Sequence, residues 1–154
     1  MSVLQKLNDD LKASMKAKDA SRLACIRMVK SRVQEKLVSR RGKEGPDYEL
    51  TDEEIVEVIG AYAKQRRDSI DQFRETGREE AIPAEEAELA ILKDYLPEQL
   101  DEAAVAAIVD AAVEKSGASS PQDMGKVMGL VMPQVKGKAD GKLVNRLVKE
   151  RLTS

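Results

Sequence analysis

Aliphatic side chains recur at spacings of three and four along almost the whole sequence, a period that commits the chain to helices laid against one another. Leu4, Leu7, Leu11 and Met15 mark a first helix at about 2–17. Leu23, Ile26, Val29, Val33 and Leu37 mark a second at about 20–40, with Asp19 as its cap. Thr51-Asp52-Glu53-Glu54 is a capping-box pattern. It opens a helix over about 52–76 on Ile55, Ile59, Tyr62, Ile70 and Phe73, ended near Gly77. Pro83 suits the first turn of a fourth helix, about 83–95, with Leu89, Leu92 and Leu96 inward. Between the second and third helices, Arg40 to Glu49 holds Gly42, Gly45 and Pro46 among charges and is expected to be a mobile loop.

Leu96-Pro97-Glu98-Gln99-Leu100 interrupts the pattern, because the residue before a proline is pushed out of helical geometry. It sets an expected boundary between an N-terminal part, 1–96, of about four helices and a C-terminal part, 97–154, of three. The fifth helix, about 102–116, is capped by Asp101, closed by Gly117 and striped by Val105, Ile108, Val109 and Ala112. Ser120-Pro121-Gln122-Asp123 opens a sixth over about 121–132, with Met124, Val127, Met128 and Val131 inward and Pro133 as its stop. After a Gly137–Gly141 turn, Leu143, Val144, Leu147 and Val148 mark the last, about 140–152. The expected class is all-α, and a content of 3% aromatic and 35% charged residues suits a helical bundle better than a sheet.

The chain has no histidine. That removes Ser-His and Cys-His nucleophile pairs, imidazole bases and the usual zinc sets together. The single cysteine, Cys25, lies in a helical stripe between Leu23 and Ile26, where it reads as a packed side chain, and it fits a reducing compartment. Acid clusters at Glu53-Glu54-Glu57 and Glu85-Glu86-Glu88 sit near helix starts, where the helix dipole accounts for them. Gly137-Lys138-Ala139-Asp140-Gly141-Lys142 fails as a nucleotide loop: three residues, not four, separate the glycines, and Leu143 stands where Ser or Thr is needed. Gly125 and Gly129 have the spacing that lets two helices approach closely. No metal, cofactor or catalytic residue is therefore expected. No apolar region follows Met1-Ser2-Val3-Leu4, and no apolar run nears the ~20 residues of a membrane span, so the expected location is cytoplasmic.

The net charge of −2 conceals a division. Residues 1–50 carry 12 Lys/Arg against 7 Asp/Glu, and residues 51–96 carry 6 against 13. Residues 97–116 carry 1 against 5, and 117–154 carry 7 against 3. One reading is that acidic and basic helices pack together and cancel, with solvated faces elsewhere. The sharper one makes the basic tail a phosphate-contact surface. Lys142, Arg146 and Lys149 share a helical face at i, i+4 and i+7. Lys136 and Lys138 flank a glycine turn whose backbone N–H groups are expected to be free to add to anion binding. Lys64-Gln65-Arg66-Arg67-Asp68-Ser69, the densest polar stretch, reads as a solvated or inter-helix ion-pair face, with an RNA contact as the lesser alternative. With Tyr48, Tyr62, Phe73 and Tyr95 as the only aromatics, no base-stacking platform is expected.

Several of these stretches carry a family resemblance. Lys64-Gln-Arg-Arg-Asp-Ser-Ile70 and Tyr95-Leu-Pro-Glu-Gln-Leu100 resemble the GatB/YqeY family. So do Met124-Gly-Lys-Val-Met-Gly129 and Lys136-Gly-Lys-Ala-Asp-Gly-Lys-Leu-Val-Asn145, along with Met15-Lys-Ala-Lys-Asp19 and Ile26-Arg-Met28. The resemblance implies kinship with the GatB component of the glutamine-dependent aminoacyl-tRNA amidotransferase, whose similar helical tail touches tRNA. Carried over, it implies a tRNA contact through Lys136, Lys138 and Lys142, with Arg146 and Lys149 added by helical position. The ATP-binding catalytic portion of that component has no counterpart in these 154 residues. Carbon–nitrogen ligase activity with glutamine as amido-N-donor is thus inherited as a label, and would need other subunits. The expectation is a non-catalytic tRNA-interacting accessory module. The alternative is a protein–protein adaptor docking onto an amidotransferase or aminoacyl-tRNA synthetase.

Overall fold

The computed structural model describes residues 2–153; Met1 and Ser154, the outer limits of the two expected parts, lie outside the described residues. Among the described residues there are seven α-helices and no strand, so the chain is all-α. It divides into two compact units, Met1–Leu96 and Pro97–Ser154, each with its own core.

The first unit holds α1 (Val3–Lys16), α2 (Ala20–Glu44), α3 (Asp52–Glu75) and α4 (Ile82–Lys93), the last preceded by a 3-10 turn, Glu79–Ala81. Leu7, Ile26, Ile59 and Leu92 are fully buried where the four helices meet. The stripe on α1 differs from the expected one. Leu4 is 43% and Met15 53% exposed, while Val3, Leu7, Leu11 and Ser14 turn inward. Because α1 packs on α3 as well as α2, its buried line runs 3–7–11–14, and Leu4 and Met15 fall at the edge of it. Ser14 takes an inward position that helical spacing from Leu7 demands, and its hydroxyl has no hydrogen-bond partner.

The expected mobile loop is a second correction. α2 continues a full turn through Gly42 to Glu44, and ends only at Gly45, whose φ of 115° a side chain would resist. The segment that follows is tied down at Tyr48. Its hydroxyl donates to Glu54 at 2.8 Å and accepts from Arg40 Nη2 at 2.8 Å, and its carbonyl accepts from Arg41 Nε at 2.9 Å. Glu54 also completes the capping box that opens α3: Thr51 N donates to Glu54 Oε2 at 2.9 Å, and Glu54 N donates to Thr51 Oγ1 at 3.2 Å. One tyrosine thus joins the end of α2 to the start of α3.

The second unit holds α5 (Glu102–Ser116), α6 (Met124–Val135) and α7 (Gly141–Thr153), with a 3-10 turn, Pro121–Asp123, leading into α6. Its core is almost wholly valine: Val105 and Val109 from α5, Val127 and Val131 from α6, Val144 and Val148 from α7. Each helix contributes pairs four residues apart, so one face of each is committed. Pro133 does not stop α6, which runs on to Val135. The donor that Pro133 lacks would have reached the carbonyl of Gly129, an exposed residue that water can serve. No helix is long and apolar enough to cross a membrane among the described residues.

Two measurements check this account. Leu7→Ala, which opens a cavity under α1, should cost about 2–5 kcal/mol in denaturant melts, whereas Leu4→Ala should change stability by about 0.5 kcal/mol or less. Equal costs would restore the stripe expected from spacing alone. The second concerns Glu54, whose carboxyl is held below the usual carboxylate range by the Thr51 backbone N–H, with Tyr48 and Arg40 adding to it. A depressed folded-state value contributes stability above the unfolded value of about 4.3, and that contribution is lost as pH falls through the folded value. Glu54→Gln should therefore melt earlier than wild type at pH 7, with the gap closing as pH drops below about 4. A gap independent of pH would contradict the assignment.

Candidate nucleic-acid interface

The segment joining α6 to α7 is shaped by the same Leu-Pro-Glu-Gln-Leu run that ends the first unit's helical pattern. Gln99 Nε2 donates to the carbonyl of Gly137 at 2.9 Å and to that of Pro97 at 2.7 Å. Leu100 N donates to the carbonyl of Lys138 at 2.8 Å. Gly137, at φ 75°, permits the reversal. With both carbonyls turned towards 97–100, the loop presents Lys136 and Lys138 outward, and both are exposed. Neither lysine has a hydrogen-bond or ion-pair partner for its side chain among the described residues. Gln99 is the residue that spacing and composition miss. Its only signal is the Tyr95–Leu100 motif, which spacing alone reads as a boundary.

Several of the backbone donors expected to be free are engaged. Lys136 N donates to Met132 O at 3.0 Å, while Lys138 N and Ala139 N both donate to Val135 O, at 2.8 and 3.1 Å. Lys142 N donates to Asp140 Oδ1 at 3.2 Å, so a carboxylate already occupies the start of α7. The loop thus offers cationic side chains, with three of its backbone N–H groups, those of Lys136, Lys138 and Ala139, already committed.

Along α7 the three expected cations fare differently. Arg146 Nη2 donates to Glu102 Oε1 at 2.7 Å and Nη1 donates to Glu150 Oε1 at 3.1 Å, tying α7 to the start of α5. Those two hydrogen bonds, Glu102 first, push its guanidinium above the ordinary arginine value. Lys142 also has a partner. Lys149 is exposed and, like the loop lysines, its side chain is unpaired among the described residues. The structure thus brings Lys136 and Lys138 together on one loop and leaves Lys149 on α7, while Arg146, itself exposed, is ion-paired with Glu102 and Glu150.

Gly125 and Gly129 are corrected as well. A Cβ added at either would meet nothing within 4 Å among the described residues, so no helix of this unit lies against them. Between α5 and α7 runs an open cleft of about 300 Å³, lined by Ala106, Val109 and Leu147 and crossed by the Arg151–Asp110 ion pair.

In the first unit, Arg66 of the polar stretch of α3 turns towards α4, while Lys64 pairs with Asp68 on its own helix at 3.2 Å. Arg66 Nη1 donates to Glu85 Oε2 at 3.1 Å and to Glu88 Oε2 at 3.4 Å, and the Tyr62 hydroxyl donates to Glu88 Oε1 at 2.9 Å. Burial, with Glu88 adding to it, pushes the Tyr62 hydroxyl up to about 12. The Cys25 thiol is likewise pushed up to about 11, first by burial and then by Glu88, so at neutral pH it stays a thiol and a poor nucleophile. At the far end of α4, Lys6 Nζ donates to Asp94 O at 2.7 Å, and the buried Tyr95 donates to Asp10. These acids hold helices together, and no group of three potential metal ligands forms among the described residues.

Comparison with known proteins places these features in a family. A family model described as "Yqey-like protein" matches residues 4–152. "Altered inheritance of mitochondria protein 41, mitochondrial" of Lachancea thermotolerans is 36% identical over 102 residues, which is 66% of this chain and 51% of that protein. The protein of the same name from Saccharomyces cerevisiae is 31% identical over 104 residues, 68% of this chain and 51% of its own length. That from Kluyveromyces lactis is 33% identical over 111 residues, 68% of this chain and 57% of its own. The chain spans about half the length of the curated relatives it matches.

Arg146 supplies the test of which cations are structural. Arg146→Gln should lower the melting temperature, and the drop should be smaller when Glu102 is already Gln, as a coupled pair requires. A drop of the same size in both backgrounds would return Arg146 to the free surface.

Proposed function

We propose that this chain, which belongs to the YqeY-like protein family, is a non-catalytic accessory module that contacts tRNA through its 97–154 part, in kinship with the tail of the amidotransferase's GatB component. The observation that carries the reading is the α6–α7 loop. Lys136 and Lys138 are held out by carbonyl bonds to Gln99 and Leu100, and their side chains are paired with no acid among the described residues. Cations left unpaired on a fixed loop suit a phosphate backbone, because they bind without first breaking an internal ion pair. Lys149 extends the same contact along α7, and Lys142 adds its charge. Arg146, half-exposed on the same helix, completes the contact while its ion pair with Glu102 ties α7 to α5.

On this reading the family's carbon–nitrogen ligase label belongs to assemblies in which other subunits do the chemistry. The module brings RNA and no reacting group. The proposed setting of this chain is cytoplasmic, whereas the relatives' names call them mitochondrial. A second reading, an adaptor docking onto an amidotransferase or an aminoacyl-tRNA synthetase, draws on the α5–α7 cleft, whose apolar floor and charged rim suit a partner's side chain.

Lys136→Glu/Lys138→Glu should weaken binding to bulk tRNA at least about tenfold at low salt and reduce the salt slope by about two, one for each lost cation. Undisturbed binding in that double variant sinks the tail contact. A co-purifying protein that survives nuclease and is lost on Leu147→Glu would favour the adaptor.

A further inference from the structure

α2 carries eight lysines and arginines against two acids in 25 residues, the largest charge excess of any helix in the chain. Its buried side is fixed by Cys25, Ile26, Val29 and Val33, against α1, α3 and α4. Helical spacing then sorts the remaining cations into two rows that border the buried side. Arg27, Lys30 and Arg41 lie on one flank, at i, i+3 and i+14. Arg32, Lys36 and Lys43 lie on the other, at i, i+4 and i+11, with Arg32 over the Tyr62 ring and Lys36, three residues from Val33, at the edge of the buried side. Arg27, Arg32, Arg41 and Lys43 are exposed, and Lys30 and Lys36 are half-buried along their stems. Among the described residues the side chains of Arg27, Lys30, Lys36 and Lys43 have no hydrogen-bond or ion-pair partner.

The rows are not an ordinary solvated face. A soluble helix interleaves signs at i, i+4, as Arg40 and Glu44 do at the end of α2, whereas Arg32 and Lys36 set like charges one turn apart, an arrangement that destabilises a bare helix. Between the rows runs an outward ridge that includes Ala24, Ser31 and Gly42, all small and exposed, with Met28 and Val38 as its larger apolar side chains, 45% and 62% exposed. A protein partner would be anchored by an aromatic side chain, and α2 carries none. A DNA reader would carry long donors to reach base edges in a deep groove. A low ridge with a cation row on each side fits instead a wide, shallow groove bordered by two phosphate strands, which is the minor groove of double-helical RNA. Glu35, the acid on the ridge, is exposed and suits the same groove, where a ribose 2′-hydroxyl that DNA lacks can donate to it.

We propose that the outward face of α2 is a docking surface for duplex RNA, its two cation rows contacting the phosphate strands on either side of the minor groove. Recognition there is by shape and charge, with no base read. The choice of RNA over DNA rests in part on the tRNA reading of the 97–154 part; the two rows stand without it.

The test uses the full chain and a labelled RNA duplex of about 20 base pairs, with a DNA duplex of the same length and polyglutamate as competitors. Arg27→Gln/Lys30→Gln and Lys36→Gln/Lys43→Gln each remove two unpaired cations, one pair from each row, and should leave the fold intact by circular dichroism. Each pair should weaken RNA binding about tenfold and cut the slope of log affinity against log salt by about two. The charge-retaining Arg27→Lys/Lys30→Arg should bind as wild type does. Unchanged duplex binding in both glutamine pairs overturns the proposal, as does stronger competition by DNA or by polyglutamate. Absence of wild-type duplex binding at low salt overturns it too, and leaves the tail reading, which is tested on tRNA with Lys136→Glu/Lys138→Glu, untouched. Loss of duplex binding in the α2 pairs with none in the tail variant supports the proposal and leaves the tail reading to its own test on tRNA.

Discussion

Burial of aliphatic stripes in two separate cores decides where every charge in this protein can stand. Aromatic residues are 3% of the chain, so Leu, Ile and Val close the helix contacts, and these shapes leave each helix one inward face and no choice about it. Once Ile26, Val29 and Val33 are inside, the lysines and arginines of α2 have no position except its flanks. Once Ile59, Tyr62 and Ala63 are inside, Arg66 falls beside α4 and meets Glu85 and Glu88. The polar chemistry of the fold is downstream of this apolar geometry.

That ordering separates two kinds of cation. Arg22, Arg40, Arg66 and Arg146 bridge helices, each fork meeting acids on another element. The cations whose side chains remain unpaired among the described residues include Lys136, Lys138 and Lys149 in the second unit and Arg27, Lys30, Lys36 and Lys43 on α2. In these two groups the chain uses arginine mainly for internal ties and leaves mainly lysines outward. A point charge on a flexible stem is well suited to a phosphate strand that slides.

The all-α class, most helix boundaries and the caps at Asp19, Thr51 and Asp101 were legible because they depend on local spacing and on side chains that bond within three residues. What stayed hidden was long-range. The burial of Ser14 in place of Met15 depends on α1 meeting two neighbours at once. Tyr48 quiets a glycine-rich segment only because Arg40 and Glu54 arrive from different helices. The tail lysines were visible as residues, but the reason they project was not: it lies in Gln99, 38 positions from the carbonyl it holds. Arg146 looked equivalent to Lys149 on a helical wheel, and only the approach of Glu102 distinguishes them.

The most direct measurement is a tRNA titration of the isotope-labelled full chain followed by backbone amide resonances. The account predicts shifts concentrated at 136–140 and on the outward face of α2, with the amides of Val105, Val127 and Val144 unmoved in the core. Shifts confined to residues lining the α5–α7 cleft, or none at low salt, would contradict it.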